Sequence, residues 1–353
     1  MLVLAAISLV GWLGVLFGTA RAWDLRPIAE DEPAPPEPSS WPSVAVLVPA
    51  RNEAALLPLT LPALRAQDYP GELRVVVVDD RSTDGTCEFA TVAGEELPAG
   101  WVGKVWALEQ ARRAAGGPDY YLLTDADIRH APHSLRRLVA DSEAGERVLN
   151  SRMARLHCKS PAEKLLIPPF VYFFNLLYPM RRVNRRPAAA GGCMLVRRDA
   201  LERAGGLAGI ADRVIDDVAL ARLLRPEGPI RLAVSRADVE SLREHDFGAI
   251  WRMVRRTAFT QLRRSWPLLL VTVALLLVLF AVPPAVTVVA AVSGDSPALA
   301  LAAGAWALLT ALYLPTLRYV RLCPLWALTL PPAACLYGAM TVDSAARGRP
   351  GSW

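Results

Sequence analysis

The tripeptide Asp125-Ala126-Asp127 closes the apolar run "YYLLT" (120–124), and a second run, "LRVVVV" (73–78), closes on Asp79 and Asp80. Neighbouring carboxylates repel one another and prefer water or a cation. Alternation along a strand sends Asp125 and Asp127 the same way, so both can reach one divalent ion. Hard oxygen ligands suit Mg²⁺ or Mn²⁺, which complete their shell with water and substrate phosphates. Turns also favour Asp, so either pair alone is a weak signal. Two such strand ends in one chain point to a shared site for a metal and a phosphorylated ligand.

Other residues can serve that site. Asp79 and Asp80 can accept hydrogen bonds from a base N–H or a ribose hydroxyl. Lys104, in "GK" (103–104), offers a cation to a diphosphate. Asp216 and Asp217 form a second carboxylate pair, and one of them is a candidate general base, since a like charge in a low-dielectric site raises a carboxyl pKa. Acids also suit a helix start. Gly191 and Gly192 permit close backbone approach to a ligand or make a tight turn. His130 and His133 share an i, i+3 spacing without an evident third ligand, so a structural role is favoured for both.

Strands and helices alternate around these residues. Strands are expected at "VAVLV" (44–48), 73–78 and 120–124, and helices at 53–67, 84–96 with Asp84 as N-cap, 104–115 and 131–144. Continuously apolar strands separated by helices imply an α/β fold with a mainly parallel sheet covered on both faces. Ligands then bind at the carboxyl ends of the strands, where Pro49–Glu53, Asp79–Asp80 and Asp125–Asp127 all lie. Further on, 161–180 reads as an interfacial helix or core segment interrupted by Pro168 and Pro169, 188–206 as loop, strand and helix, and 213–225 as a helix headed by Asp216 and Asp217.

The chain has 353 residues, 53% hydrophobic and 21% charged, with mean hydropathy +0.27. That is too apolar for an ordinary soluble protein and too charged for a membrane bundle alone. The composition divides it into an N-terminal anchor (1–22), an acidic Pro-rich linker (23–43) expected to be stiff and extended, a catalytic domain (44–245), a basic interfacial helix (246–266), two or three membrane segments (267–342) and a tail (343–353). The spans are expected at 267–292 and 298–314. The stretch 325–340, broken by Pro331 and Pro332, is a third span or a re-entrant segment. Arg21, Arg26, Arg263, Arg264, Arg318 and Arg321 place the domain on the cytoplasmic side of a multi-pass plasma-membrane protein. Five cysteines, an odd number without CxxC spacing, argue against a disulfide framework or a zinc site. The net charge of +5 is carried by Arg-rich patches. Beside membrane spans these favour anionic headgroups over nucleic acid.

The motifs "VPARNE", "VVVVDDRSTDGT", "GKVWAL", "LLTDAD", "GGCMLVRRDAL" and "VIDDVAL" follow one another across residues 48–220. In that order they resemble the inverting family 2 glycosyltransferases with the nucleotide-sugar-binding GT-A fold. The flanking membrane segments and "WRMVRRTAFTQLRRSW" look like the hopene-associated and carotenoid-type subgroup, and "MTVDSAARGRPGSW" (340–353) is loosely similar as well. The resemblance implies that Pro49, Asn52 and Glu53 shape the first loop of a nucleotide pocket. It implies that Asp80, with Asp79, holds uracil or ribose, and that Lys104 meets the nucleotide or diphosphate. Asp125 would contact ribose or sugar, and Asp127 would ligate the metal. Asp217 matches the catalytic base of the family's Glu-Asp pair, with Asp216 standing where the family has Glu. Processive synthases of the family carry Q-x-x-R-W. Here Gln261, Arg264 and Trp266 stand in "QLRRSW", one residue longer, beside the acceptor. The implied activity is transfer of a sugar from a UDP-linked donor to a lipid hydroxyl. The alternatives are a polysaccharide or polyprenyl-phosphate sugar synthase and a non-catalytic nucleotide-sugar-binding membrane protein.

Overall fold

Among the described residues, nine strands organise the chain: β1 (Val44–Ala50), β2 (Leu73–Asp79), β3 (Val92–Ala93), β4 (Tyr120–Thr124), β5 (Ile128–His130), β6 (Leu149–Met153), β7 (Cys193–Arg197), β8 (Ile230–Val234) and β9 (Val239–Ser241). The computed structural model describes residues 1–18 and 21–347. Positions 19–20 of the expected anchor and 348–353 of the expected tail lie outside the described residues.

Seven strands form one sheet in the order β3-β2-β1-β4-β7-β6-β8. β1 is parallel to β2 and β4, β2 to β3, and β6 to β8. β7 runs antiparallel to both its neighbours. The mainly parallel α/β sheet expected from the apolar runs is therefore present. Every residue of β1 and β4 is buried, as strands covered on both faces require. Pro49 is tolerated near the end of β1. Ala50 O accepts from Asp80 N at 2.7 Å, so alternate residues face β2 and Pro49 turns toward β4, where pairing has already ended at Leu47.

Residues 26–157 and 182–244 make up this α/β unit, which therefore begins before Val44. The acidic segment expected to be a stiff, extended linker is docked. Glu30 accepts from the Ser235 hydroxyl (2.7 Å) and from the backbone N–H groups of Arg236 (2.8 Å), Ala237 (2.9 Å) and Asp238 (3.0 Å). Asp31 pairs with Arg236, and Glu32 with Arg231. Charge partners distant in sequence override the extended preference of the prolines.

The helix expected over 84–96 is replaced by a 3₁₀ turn, Thr86–Phe89, and β3. Asp84 does not cap it. Its carboxylate accepts from Ala54 N (3.1 Å), Thr86 N (3.0 Å) and Thr86 Oγ1 (2.6 Å), stapling the loop after β1 to the loop after β2. Gly94, directly after β3, lies so close to Asp79 O that a Cβ would sit 2.5 Å from it.

The described residues of 1–25, 158–181 and 245–347 cluster as a helical unit. Its core gathers Trp12, Tyr172, Phe280, Leu309, Tyr313 and Leu330. Trp12 Nε1 donates to Leu279 O at 2.7 Å. Among the described residues, three helices, Trp266–Ser293, Ser296–Tyr319 and Pro324–Arg347, are long and apolar enough to cross a membrane. The last changes from a 3₁₀ segment, Pro324–Thr329, to an α-helix, Leu330–Arg347, at Pro331 and Pro332. The apolar helix Leu2–Phe17 has 16 residues, about 24 Å, short of a hydrocarbon core of about 30 Å. Segment 161–180 forms the helix Pro161–Leu177, opened by a capping box between Ser160 and Glu163. The basic helix ends at Gln261. Arg263 and Arg264 each take φ +53, and Ser265 and Pro267 start the next helix, with Trp266 as its first residue.

Candidate functional site

The carboxyl ends of β1, β2 and β4 each lead into a polar loop of the α/β unit. At the first two, Asn52 (φ +57) and Arg81 (φ +57) turn the chain sharply. Asn52 Oδ1 accepts from Thr83 N at 2.8 Å, Glu53 N donates to Thr86 Oγ1 at 2.7 Å, and Asp79 Oδ1 accepts from Ser82 N at 3.1 Å. Asp80 is buried, with Arg51 at 3.3 Å. Pro49, Asn52, Glu53, Asp79 and Asp80 thus share one edge.

β4 ends at Thr124, and Ile128 N donates to Asp125 O at 3.1 Å. Asp125 and Asp127 therefore sit in a β-turn, and strand alternation is not what brings them together. The turn hands their carboxylates to different cations. Asp125 Oδ1 meets Lys104 Nζ at 2.7 Å, and the same ammonium lies 3.2 Å from Asp216 Oδ2. Asp127 Oδ2 accepts from Ser241 Oγ at 2.7 Å and lies 3.4 Å from Arg243 Nε, whose guanidinium also pairs with Glu53.

Register explains both groupings. Thr124 pairs with Cys193 across β4 and β7, and Thr124 Oγ1 donates to Gly192 O at 2.8 Å, which sets the 191–192 turn beside Asp125. Gly191 N donates to Asp217 Oδ2 at 3.1 Å. A Cβ on Gly191 would lie 3.3 Å from Lys104 Nζ, so this glycine is a close-approach residue. β5 and β9 pair Ile128 with Ser241, and Leu242 N donates to Asp127 O at 2.9 Å, which carries Arg243 in.

The electrostatics follow from this crowding. Burial and then Asp216 push Asp217 up to about 7, against the Lys104 ammonium and the N–H groups of Val218 and Gly191. Asp125 is raised by burial and by Asp127 and Asp216, with Lys104 opposing. Glu53 is raised by burial and by Asp127 and Asp125, with Arg243 opposing. Burial disfavours the Lys104 charge, but Asp125, Asp216 and Asp217 outweigh it and hold the ammonium protonated.

Five carboxylates thus face two cations, a surplus that invites a divalent ion. Among the described residues no three His, Cys, Asp or Glu side chains form a metal cage. The donor set suits Mg²⁺ or Mn²⁺, which take one or two carboxylates plus water and phosphate oxygens. His130 is buried against Thr124 (2.9 Å), with its pKa pushed by burial down to about 4, and His133 pairs with Asp238. Both side chains find partners within the α/β unit.

Gln261, Arg264 and Trp266 belong to the helical unit. Gln261 donates to the Tyr178 hydroxyl, Arg264 lies in the turn, and Trp266 packs at a tilt against Phe259 with centroids 5.4 Å apart. Sequence reasoning missed Arg51, Ser241 and Arg243. The one available signal was "VESLRE" (239–244), a charged stretch directly after a short apolar segment.

Residues 45–205 match the family model described as Glycosyl transferase family 2. A cellulose synthase catalytic subunit (UDP-forming) of Pseudomonas fluorescens is 29% identical over 267 residues, 69% of this chain and 34% of that protein. An undecaprenyl-phosphate mannosyltransferase of Micrococcus luteus is 35% identical over 124 residues, 31% of this chain and 48% of that protein. The chain thus spans half or less of the length of these curated relatives. A mannosyltransferase from Pyrobaculum calidifontis, solved with GDP-Man and Mn²⁺, superposes with TM-score 0.59 at 24% identity, covering 98% of both chains. The fold is the GT-A arrangement, and residues 45–205 are a family 2 glycosyltransferase domain.

Proposed function

We propose that this chain uses its family 2 glycosyltransferase domain to move a sugar, with inversion, from a UDP-linked donor to a hydroxyl of a hopanoid- or isoprenoid-like lipid. The observation that carries the reading is Asp217: a carboxyl raised to about 7, beside a lysine shared with Asp125 and Asp216. Such a group is suited to take a proton near neutrality.

In this reading Asp79 and Asp80 hold the base or ribose, and Pro49, Asn52 and Glu53 shape that pocket. Lys104 faces the diphosphate and Asp125 the ribose or sugar. Asp127, with Asp125, would hold Mg²⁺ or Mn²⁺, which when bound neutralises charge on the diphosphate. The acceptor oxygen attacks the anomeric carbon from the face opposite the leaving group. Its proton passes to Asp217, and the bond from the anomeric carbon to the diphosphate oxygen breaks with its electron pair leaving on the nucleotide. Asp216 keeps Lys104 in place and raises Asp217. Gly191 and Gly192 leave room for the sugar, and Gln261, Arg264 and Trp266 serve the acceptor.

A lipid acceptor is supported by the three apolar helices and the basic helix Phe247–Gln261 of the same chain. The arginine placement supports a plasma-membrane protein with its α/β unit in the cytoplasm and anionic headgroups beside the basic helix. The names of the relatives favour a second reading, a polysaccharide or polyprenyl-phosphate sugar synthase. One experiment separates them. Purified full-length chain is incubated with UDP- and GDP-sugars and total membrane lipid, with and without EDTA, and products are identified by mass. A neutral glycolipid formed only with divalent ion supports the first reading, a glycosyl phosphate lipid or soluble polymer supports the second, and donor binding without transfer defeats both.

A further inference from the structure

Four donors of the α/β unit converge on one carboxylate oxygen. Glu30 Oε1 accepts from the Ser235 hydroxyl and from three successive backbone N–H groups, those of Arg236, Ala237 and Asp238, at 2.7–3.0 Å. Successive N–H groups in a turn form a concavity that holds an anion. Here the anion belongs to the chain's own acidic segment. Burial works against its charge, but the N–H groups and the hydroxyl outweigh it and hold the Glu30 carboxyl below its ordinary value. The segment is tied down on both sides of Glu30. Val234 N donates to Pro27 O at 3.1 Å, Arg137 donates to Glu32 O at 2.9 Å, and Asp31 and Glu32 pair with Arg236 and Arg231.

The turn 235–238 leads directly into β9, which pairs with β5 in a two-stranded sheet of three residues a side. So small a ribbon is marginal by itself, and its place depends on the bonds around it. At its start Val239 N donates to Ser235 Oγ at 2.9 Å and Ala131 N to Asp238 O at 2.8 Å, so the turn that Glu30 fills is also the end post of the ribbon. Arg155 adds backbone bonds to Val239 and Ser241 along the free edge. At the far end stand the groups that reach the expected ion ligands: Ser241 Oγ on Asp127, and Arg243 on Asp127 and Glu53 together.

We propose that Glu30 is a positioning residue for the ion site. By filling the concavity of the turn it fixes where β9 begins, and β9 delivers Arg243 onto Glu53 and Asp127. The acidic segment thereby keeps a guanidinium where a divalent ion would bind. Glu30 acts through Arg243 and takes no part in transfer. The inference rests on the reading of Asp127 as an ion ligand.

Calorimetry of the full chain with Mn²⁺ and no nucleotide reads the hold of Arg243 on the site. Glu30→Ala should bind Mn²⁺ about fivefold more tightly than the wild type. Arg243→Gln should do the same, and the double variant should bind no more tightly than Arg243→Gln alone. Formate supplies the missing carboxylate to the vacated turn. It should return Glu30→Ala toward wild-type affinity and leave Arg243→Gln unchanged. A loss of stability alone would weaken the ion site, not tighten it. Hydrogen exchange gives a reading independent of the ion: β9 and Leu242 should exchange faster in Glu30→Ala and slow again with formate. If Glu30→Ala melts early, Glu30→Gln, which removes the charge and keeps the volume, takes its place in both measurements. Unchanged or weaker Mn²⁺ binding, tightening that adds to that of Arg243→Gln, or exchange equal to the wild type would overturn the proposal. Absence of Mn²⁺ binding in every protein, with and without UDP, would remove the ion reading of Asp127 instead, and exchange across β9 would then decide whether Glu30 sets its position.

Discussion

Asp125 and Asp127 stand two residues apart, yet the first belongs to a lysine and the second to an arginine. Around Lys104 the partners are Asp125 and the buried Asp216, with Asp217 alongside. Around Arg243 they are Asp127 and Glu53. Lysine is a compact charge on a flexible stem, whereas arginine presents a planar fork that holds two carboxylates at once. The lysine group therefore gathers acids whose protonation matters. The arginine group occupies the carboxylates a divalent ion would need. In the proposed reading the first is the proton-handling half of the site and the second the ion-handling half.

The largest effects should come from removing the acid that defines each half. Asp127→Ala should abolish turnover and divalent-dependent nucleotide binding, and EDTA should do the same to the wild type. Full activity in EDTA would remove the ion-handling role. Asp217→Asn keeps size and removes basicity, and its amide oxygen can accept from only one of Gly191 N and Val218 N. It should retain donor binding while transfer falls by a factor on the order of 10² to 10⁴, and Asp216→Asn should lose less. Equal losses in the two variants would dissolve the distinction between base and support.

The cations sharpen the contrast at a smaller scale. Lys104→Met leaves Asp125, Asp216 and Asp217 without their counter-charge and should cost on the order of 1 kcal/mol of stability, since Lys104 and Asp125 are partly exposed and solvent screens the pair. Arg243→Gln should cost less, because Ser241 still donates to Asp127. It should also tighten binding of Mn²⁺ alone, since the competing guanidinium is gone. Calorimetry with Mn²⁺ and no nucleotide measures this, and unchanged or weaker affinity would show that Arg243 does not compete for Asp127.

The two halves were not equally legible in the sequence. The strands that end at Asp79 and Thr124 are apolar runs, broken only by the exposed Arg74, and acids at their ends announce a site. Asp216 and Asp217 at a helix head were likewise readable. Arg243 was not, because Glu53 and Asp127 lie 190 and 116 residues away in sequence and no local pattern marks the pairing. β6 was hidden for a similar reason. "LNSRM" neither alternates nor is apolar, yet all five residues are buried. Asn150 and Arg152 are satisfied by Asp141, which also takes Arg147 and Arg231. A network closed by tertiary partners cannot be recognised from its members singly. The docked acidic segment misled in the same way, since Glu32 finds Arg231 across 199 residues.

The smallest effect is a pH dependence confined to the lysine half. The folded chain raises Asp217 from its ordinary carboxyl value to about 7, by burial first and Asp216 second. Between those two values the folded state holds a proton that the unfolded chain releases. Stability therefore falls as pH rises through that window. Asp217→Asn has no proton to lose. It should match the wild type near pH 4 and become the more stable of the two toward pH 8, by on the order of 1 kcal/mol, because the group is only partly buried and solvent screens it. The variants Asp127→Asn and Glu53→Gln serve as the comparison from the arginine half. Denaturant titrations of the three variants and the wild type at several pH values measure the slopes. A flat difference between wild type and Asp217→Asn would mean that Lys104 already holds Asp217 ionised, and the proton-handling half would lose its base.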